Sequence, residues 1–213
     1  MSPAVAIPSV SRRTASKGAA TRDAILARAY SLACVQGLEG LTIGGLAEQV
    51  GMSKSGVFAH FGSREDLQLA VLDTASERFT QLVMVPALRQ PRGLRRLRAT
   101  MQHWLLDWLR QSQEHGGCLF AAAASEYDDR PGAVREQLVF REDQWRQQLA
   151  RATQLAIDTG ELAADTGPDQ VAFVLYAIAL ALHHHAGLVG HADARERGMR
   201  AFERLVRSYS PTA

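Results

Sequence analysis

Residues 42–61 read TIGGLAEQVGMSKSGVFAHF, a stretch that predicts two short helices joined by a tight turn. Thr42 can cap the first helix through its hydroxyl group, and Ser53 can cap the second helix in the same way. Gly51 stands where the first helix must end in a left-handed conformation, which glycine adopts without steric cost. The first helix carries four apolar residues at helical spacing: Ile43, Leu46, Ala47 and Val50. The stretch therefore predicts a capped helical pair with one apolar face turned inward.

The second helix of this pair begins with a polar and basic tip. Lys54, Ser55 and the bare backbone of Gly56 are expected to face outward, while Val57 and Phe61 turn back toward the core. This is the layout of a helix-turn-helix, whose second helix enters the major groove of DNA. The alternative is an ordinary helical hairpin at a protein surface. The conjunction of two caps, a glycine turn and an exposed basic tip favours DNA binding.

The sequence on both sides of the helical pair extends the pattern. The segment TRDAILARA at residues 21–29 precedes Gly37, and FGSREDL at residues 61–67 overlaps the end of the pair. In their order and spacing, residues 20–80 resemble the DNA-binding domain of the TetR family of transcriptional regulators. The resemblance implies an all-α fold, in which a three-helix DNA-binding domain precedes a larger helical domain that binds a small effector and forms a homodimer.

The exposed ends of the predicted helices suggest where DNA would bind. We expect Lys54 and Ser55 to face base edges, and the bare backbone of Gly56 to approach the groove. The family usually has tyrosine where this chain has Phe58, so the phosphate hydrogen bond of that hydroxyl is not expected here, although the ring can still pack. Phosphate contacts are predicted for four residues at helix tips: Thr42, Ser53, His60 and Arg64.

The whole chain reads as helical. Helical periodicity recurs to the end of the 213 residues and no segment alternates like a half-buried strand, so about nine helices are expected. Residues 1–19 are predicted to be a disordered basic arm that could lie along a phosphate backbone, with a solvated tail as the alternative. Residues 20–80 are assigned to the DNA-binding domain, and residues 81–213 to the ligand-binding and dimerisation domain.

The composition indicates the class of protein and the cellular compartment to expect. An apolar share of 46% is that of a globular protein, and a net charge of +2 does not by itself indicate nucleic acid. Two cysteines, Cys34 and Cys118, are too few for a disulfide framework and suit the reducing bacterial cytoplasm. No secretory signal pattern is found, and the longest apolar run, residues 171–182, is shorter than the roughly 20 residues that span a membrane. We therefore expect a cytoplasmic protein without a membrane partner, nucleoid-associated when bound to DNA, with residues 171–182 in a buried helix.

Catalytic and metal-binding chemistry find little support in the sequence. It contains no phosphate-cradling glycine loop, no nucleophile elbow and no HExxH pair. The run His183-His184-His185 cannot bind one ion with all three rings, because consecutive side chains on a helix point about 100° apart. The ordinary interpretation is that one histidine is buried and hydrogen-bonded, while the others face a helix interface or solvent. We therefore expect no catalytic residue, no metal and no cofactor.

Aromatic residues are concentrated outside the DNA-binding segment, on helices that should pack together. Ligand sites in helical bundles are mostly apolar with a few polar groups, so these rings predict a pocket for a lipophilic or aromatic effector between the fifth, seventh and eighth helices. The alternative is that the rings simply fill the core. The lining residues are expected to be His103, Trp104, Trp108, Cys118, Phe120, Trp145, Phe173 and Tyr176.

The last two helices are expected to form a four-helix bundle with the same pair of a second copy, since the run 171–182 has more apolar surface than one subunit can cover. Its interface residues are predicted to be Leu175, Ala179, Leu182, Phe202 and Leu205.

The resulting hypothesis for the whole protein is a homodimeric repressor that leaves a palindromic operator when its effector binds. Two alternatives stay open: an activator of the same fold, and an all-helical small-molecule-binding protein or enzyme.

Overall fold

The computed structural model describes residues 17–211, which form nine helices and contain no β-strand. The part predicted to bind DNA contains α1 (Lys17–Gln36), α2 (Ile43–Val50), α3 (Lys54–Phe61) and the start of α4. Helix α4 covers residues 64–88 and consists of Arg64–Phe79, a π-helical segment Thr80–Met84, and Val85–Leu88. Helix α5 covers residues 94–114 and consists of Leu94–Gln102, a second π-helical segment His103–Trp108, and Leu109–Glu114. The chain ends with α6 (Leu119–Tyr127), α7 (Ala133–Asp158), α8 (Pro168–Leu188) and α9 (His191–Ser208).

The all-α prediction with about nine helices is confirmed, and one boundary is corrected. Most of the predicted arm, residues 1–16, lies outside the described residues. Residues 17–19 are helical rather than part of an arm, because α1 begins at Lys17. The alanines at positions 19 and 20 are strong helix formers and extend the helix toward the N-terminus.

Two apolar cores organise the molecule, and they share helices. The first core is built by α1 to α4, and it also includes Leu119, Ala123 and Tyr127 of α6. The second core is built by α5, α7, α8 and α9 with Val83 from the later part of α4. Because α4 passes through both cores and α6 packs on the first, a displacement in the larger unit has a direct path to the DNA-binding helices.

The two π-helical segments lie side by side and bring large rings together. The segment in α4 precedes Pro86, which lacks an N–H group and whose ring crowds the carbonyl of Leu82 four residues earlier. A wider turn accommodates that crowding. The segment in α5 contains Trp104 and Trp108, both almost fully buried. Such widened turns are frequently found at functional sites.

Helix α8 has two apolar faces, and only one of them is buried. Leu175, Ala179 and Leu182 lie in the core, whereas Phe173 and Leu188 are 57% and 74% exposed. The helix is buried on its inner face, and its outer face leaves apolar surface that the subunit does not cover, as the sequence predicted. Among the helices of residues 17–211, α8 alone is long and apolar enough to cross a membrane by length and composition, and its inner face packs on α7 and α9.

The predicted dimer-interface residues are also corrected. Leu175, Ala179, Leu182 and Phe202 are at most 4% exposed and pack inside their own subunit, so they cannot contact a second copy. Leu205 is half-buried against the same core. The pattern could not separate the two faces of α8, because both carry apolar side chains.

Candidate nucleic-acid interface and effector cavity

The helix-turn-helix geometry follows from local capping. Thr42 Oγ1 accepts a hydrogen bond from the Gly45 amide at 3.1 Å, and Ser53 Oγ accepts one from the Gly56 amide at 3.1 Å. Gly51 ends α2 with φ of +66°, a left-handed conformation, and its amide bonds back to carbonyls of α2. These contacts, expected from the sequence, fix the angle at which α3 leaves α2.

The outer face of α3 carries the residues predicted to read DNA. Lys54 and Ser55 are exposed, His60 is half-buried, and the Phe58 ring is 54% exposed although it is apolar. The Lys54 side chain lies across α2, because a Cβ atom at Gly44 would stand only 3.0 Å from Lys54 Cε. Because Gly44 has no side chain, the Lys54 ammonium group can lie close to α2.

Arg64 is exposed at the start of α4, as predicted, and its guanidinium also makes contacts within the chain. Its Nε donates to the carbonyl of Leu41 at 2.9 Å, and its guanidinium pairs with the Glu39 carboxylate at 3.1 Å. The side chain therefore joins the start of α4 to the loop between α1 and α2. These contacts use only part of the donors of the guanidinium, so its contact with a DNA phosphate stays a prediction beside this positioning role.

Glu39 is the centre of a polar cluster that links the DNA-binding helices to α6. Tyr127, at the end of α6, donates its hydroxyl hydrogen to Glu39 Oε2 at 2.8 Å and accepts one from Gln68 Nε2 at 3.0 Å. Arg130 pairs with the same carboxylate at 3.3 Å. The hydrogen bond from Tyr127, together with the Arg64 cation, lowers the pKa of Glu39. Burial and then the neighbouring carboxylate raise the pKa of Tyr127 to about 12, so the hydroxyl stays protonated and keeps donating.

A cavity of about 420 Å³ lies between α4, α5, α6, α7 and α8. Its size is within the range of small-molecule sites, about 300–1,000 Å³. Aromatic rings pack edge-to-face in its wall, with the centroids of Phe79 and Trp145 4.8 Å apart and those of Trp104 and Trp145 5.0 Å apart. Both π-helical segments contribute to the wall, through Thr80 and Met84 on one side and through the two buried tryptophans on the other.

Profiles of known families match most of the chain. Residues 25–71 match the bacterial regulatory proteins of the tetR family, and residues 93–202 match the tetracyclin repressor-like C-terminal domain. The chain belongs to the TetR family of transcriptional regulators. The resemblance seen in the sequence is thereby confirmed. No curated protein sequence matches the chain.

Solved structures of TetR-family regulators share the fold over nearly the full length. A regulator from Chloroflexus aurantiacus superposes with a TM-score of 0.84 at 25% identity, covering 92% of this chain and 99% of that one. A regulator from Cytophaga hutchinsonii gives a TM-score of 0.82 at 17% identity, covering 94% and 100%. AibR, solved in complex with isovaleryl coenzyme A and operator DNA, superposes with a TM-score of 0.67 at 22% identity. The match covers 90% of this chain and 99% of AibR.

The structure brings six of the eight predicted pocket residues to the cavity of this TetR-family chain. Two predictions are wrong. His103 does not line the cavity, because its Nδ1 pairs with the Asp107 carboxylate at 2.8 Å on the same helix. Phe173 lies on the exposed face of α8. The six lining residues are Trp104, Trp108, Cys118, Phe120, Trp145 and Tyr176.

Sequence reasoning missed the contribution of α4 and the polar part of the wall. Phe79 and Met84 line the cavity from α4, which had been assigned to the DNA-binding half up to residue 80. Arg141 and Glu142 line it from α7. A signal for Arg141 was present, because it precedes Trp145 by four residues and so shares its helix face.

His183 is the buried member of the histidine run and also lines the cavity. Burial lowers its pKa to about 4, so the ring is neutral at pH 7. Within the described part of the chain, neither of its ring nitrogens has a hydrogen-bond partner. The predicted hydrogen bond of a buried histidine is therefore not formed.

The depressed pKa of His183 predicts an acid-sensitive fold. Between about pH 6.5 and pH 4 the unfolded chain binds a proton that the folded protein excludes, so the free energy of unfolding falls as pH falls. The contribution of this residue is about 2 kcal/mol between pH 7.5 and pH 5.0, at about 1.4 kcal/mol per pKa unit. Urea unfolding at the two pH values measures the decrease.

His183→Leu is the matched variant, because it keeps an apolar side chain of similar size and removes the titration. Between pH 7.5 and pH 5.0, the free energy of unfolding should decrease less in this variant than in the wild type. The difference between the two decreases should be about 2 kcal/mol. Carboxylates elsewhere contribute equally to both proteins. An identical pH dependence of the two proteins would show that His183 does not titrate in this range.

Proposed function

We propose that this protein is a homodimeric, ligand-responsive transcriptional repressor that acts in the bacterial cytoplasm. Each α3 enters the major groove of one half of a palindromic operator, and an apolar effector in the cavity favours a state that does not bind DNA. The observation that carries the proposal is the connection of two sites: the capped helical pair with its exposed Lys54 tip is joined through Glu39 and α6 to the cavity. Release of DNA requires only that the effector bind the DNA-incompetent state more tightly.

At the DNA surface, Lys54 and Ser55 are proposed to read base edges, with Gly56 permitting close approach. Thr42, Ser53 and His60 are proposed to contact phosphates, supported by their places at exposed helix ends. Phe58 replaces a hydroxyl-bearing ring with an apolar one at the same surface. We propose that it packs against deoxyribose or a thymine methyl group instead of binding a phosphate.

The dimer is proposed to form through the outer face of α8. Phe173, Ala177 and Leu188 are exposed on one face of the helix, which also carries the exposed His184, and these three residues form an apolar stripe that this histidine interrupts. A stripe of this length favours an isologous contact with the same stripe of a second copy.

A structural neighbour supports the proposal that one fold binds both DNA and an effector. AibR has been solved in complex with isovaleryl coenzyme A and operator DNA.

Selection of binding sites from random DNA tests the proposal. The wild type should enrich a palindrome whose half-sites are about one helical turn apart, because two copies of α3 related by a twofold axis read it. Phe173→Glu/Ala177→Glu should be monomeric by light scattering. It should bind the selected palindrome at least about 100-fold more weakly, since it loses bivalent engagement.

Val35→Glu serves as the control for an added charge at an exposed apolar position, because Val35 is 73% exposed on α1. It should remain dimeric. Enrichment of a single unrepeated site, or no enrichment at all, would contradict the proposal. A double variant that keeps the dimer mass would exclude the α8 stripe as the interface.

A further inference from the structure

The wall of the cavity indicates a flat, apolar ligand. Phe79, Trp104, Trp108 and Trp145 are packed edge-to-face with centroids 4.8–6.2 Å apart, and Tyr176 lies 5.9 Å from Trp104. Such rings bind another aromatic ring because the contact buries apolar surface and because their quadrupoles favour edge-to-face or offset stacking. Leu88 and Leu180, each about half exposed, extend the apolar wall to the solvent side. An aromatic molecule therefore has complementary surface here on several sides.

The charges of the wall are already compensated. The Arg141 guanidinium bonds to Ser76 Oγ and to the Asp73 carboxylate. The Glu142 carboxylate lies 3.9 Å from the Arg146 guanidinium. His183 is neutral because burial lowers its pKa. A charged ligand would thus lose its hydration without gaining a free counter-ion, which strongly disfavours it.

The wall nevertheless contains unsatisfied hydrogen-bond donors. Among residues 17–211, the buried nitrogens without a partner include Trp145 Nε1 and Arg141 Nε, which lie one turn apart on the same face of α7. Both atoms can only donate. Both atoms are buried, so a small side-chain rotation must accompany their use. That rotation is favoured when it converts an unsatisfied donor into a hydrogen-bonded one.

We infer that the effector is a neutral aromatic compound carrying one hydrogen-bond-accepting oxygen, a hydroxyl or a ketone, which accepts a hydrogen bond from Trp145 Nε1. The inference rests on the proposed function, since it names the ligand class of the proposed effector site. Neither the aromatic lining alone nor the unsatisfied donors alone would select this class. Together with the compensated charges they disfavour hydrocarbons, carboxylates and ammonium ions as ligands.

Four probes of one ring size test the inference by calorimetry on the full-length protein: naphthalene, 2-naphthol, 2-acetonaphthone and 2-naphthoate. The two neutral oxygen compounds should bind at least about 10-fold more tightly than naphthalene, which corresponds to one added hydrogen bond in a dry site. They should also bind at least about 10-fold more tightly than 2-naphthoate.

Trp145→Phe and Trp104→Phe form a matched pair of variants. Trp145→Phe keeps a ring and removes the unsatisfied donor, so it should weaken 2-naphthol and 2-acetonaphthone while leaving naphthalene within about threefold. Trp104→Phe removes ring area without removing one of these donors, so it should weaken all neutral probes alike. Equal binding of naphthalene and 2-naphthol, tightest binding of 2-naphthoate, or binding of no probe would each overturn the inference. Operator binding is measured separately without probe, and its absence would instead overturn the proposed function.

Discussion

Lys54→Glu is expected to abolish operator binding while leaving the fold intact. Lys54 is exposed at the first position of α3, and its side chain makes no contact in α1, α4 or the larger unit that the structure shows. Loss of one base or phosphate contact costs about 1–3 kcal/mol, and a dimer loses two at once. The reversed charge adds repulsion from the phosphate backbone. Affinity for the selected operator should therefore fall at least about 100-fold, measured by fluorescence anisotropy at fixed salt.

Arg151→Glu provides the control with the same change in net charge. Arg151 is exposed on α7, away from α3, and the variant should keep operator affinity within about threefold at moderate salt. Both variants should unfold in urea like the wild type. If the two variants lose operator affinity equally, binding depends on net charge alone, and the proposed reading role of Lys54 is wrong.

The DNA-binding part could be predicted from sequence because its signals are local. Each cap of α2 and α3 joins residues three apart, and Gly51 marks the turn by its own conformational freedom. Arg64 shows the limit of this reasoning. Its partner Glu39 is 25 residues away and belongs to a different element, so no spacing rule connects them. Arg64 lies at an exposed helix tip, as predicted, but its bonds to Glu39 and Leu41 depend on tertiary packing.

The larger unit was less predictable because its helices are apolar on more than one face. Both faces of α8 offer residues at helical spacing, and only the packing on α7 and α9 decides that Leu175 is inside and Phe173 outside. The π-helical segments also escape prediction. A π-helical turn adds one residue to the helix, and no local signal in residues 80–84 or 103–108 distinguishes it from an ordinary helical turn.

Tyr127→Phe is expected to uncouple the cavity from the DNA-binding helices. Helix α6 lines the cavity with Phe120, Ala121 and Ala124, and one turn later Tyr127 holds Glu39 at 2.8 Å. Displacement of α6 by a ligand must therefore move or break this hydrogen bond. The variant keeps the buried ring and removes only the hydroxyl. Allosteric coupling typically changes affinity about 5–150-fold, and in this variant the effect of a bound probe on operator affinity should fall below about threefold.

The measurement is a thermodynamic cycle with 2-naphthol, or with whichever naphthalene probe binds most tightly. Probe affinity without DNA should stay within about threefold of the wild type, because Tyr127 does not line the cavity. Glu39→Gln alters the other end of the same hydrogen bond, so the double variant should show no further loss of coupling than either single variant. Ser125→Ala, on the exposed face of α6, should couple like the wild type. Wild-type coupling in Tyr127→Phe would instead assign transmission to α4, whose π-helical segment lines the cavity and whose first residue, Arg64, holds Glu39 from the other side.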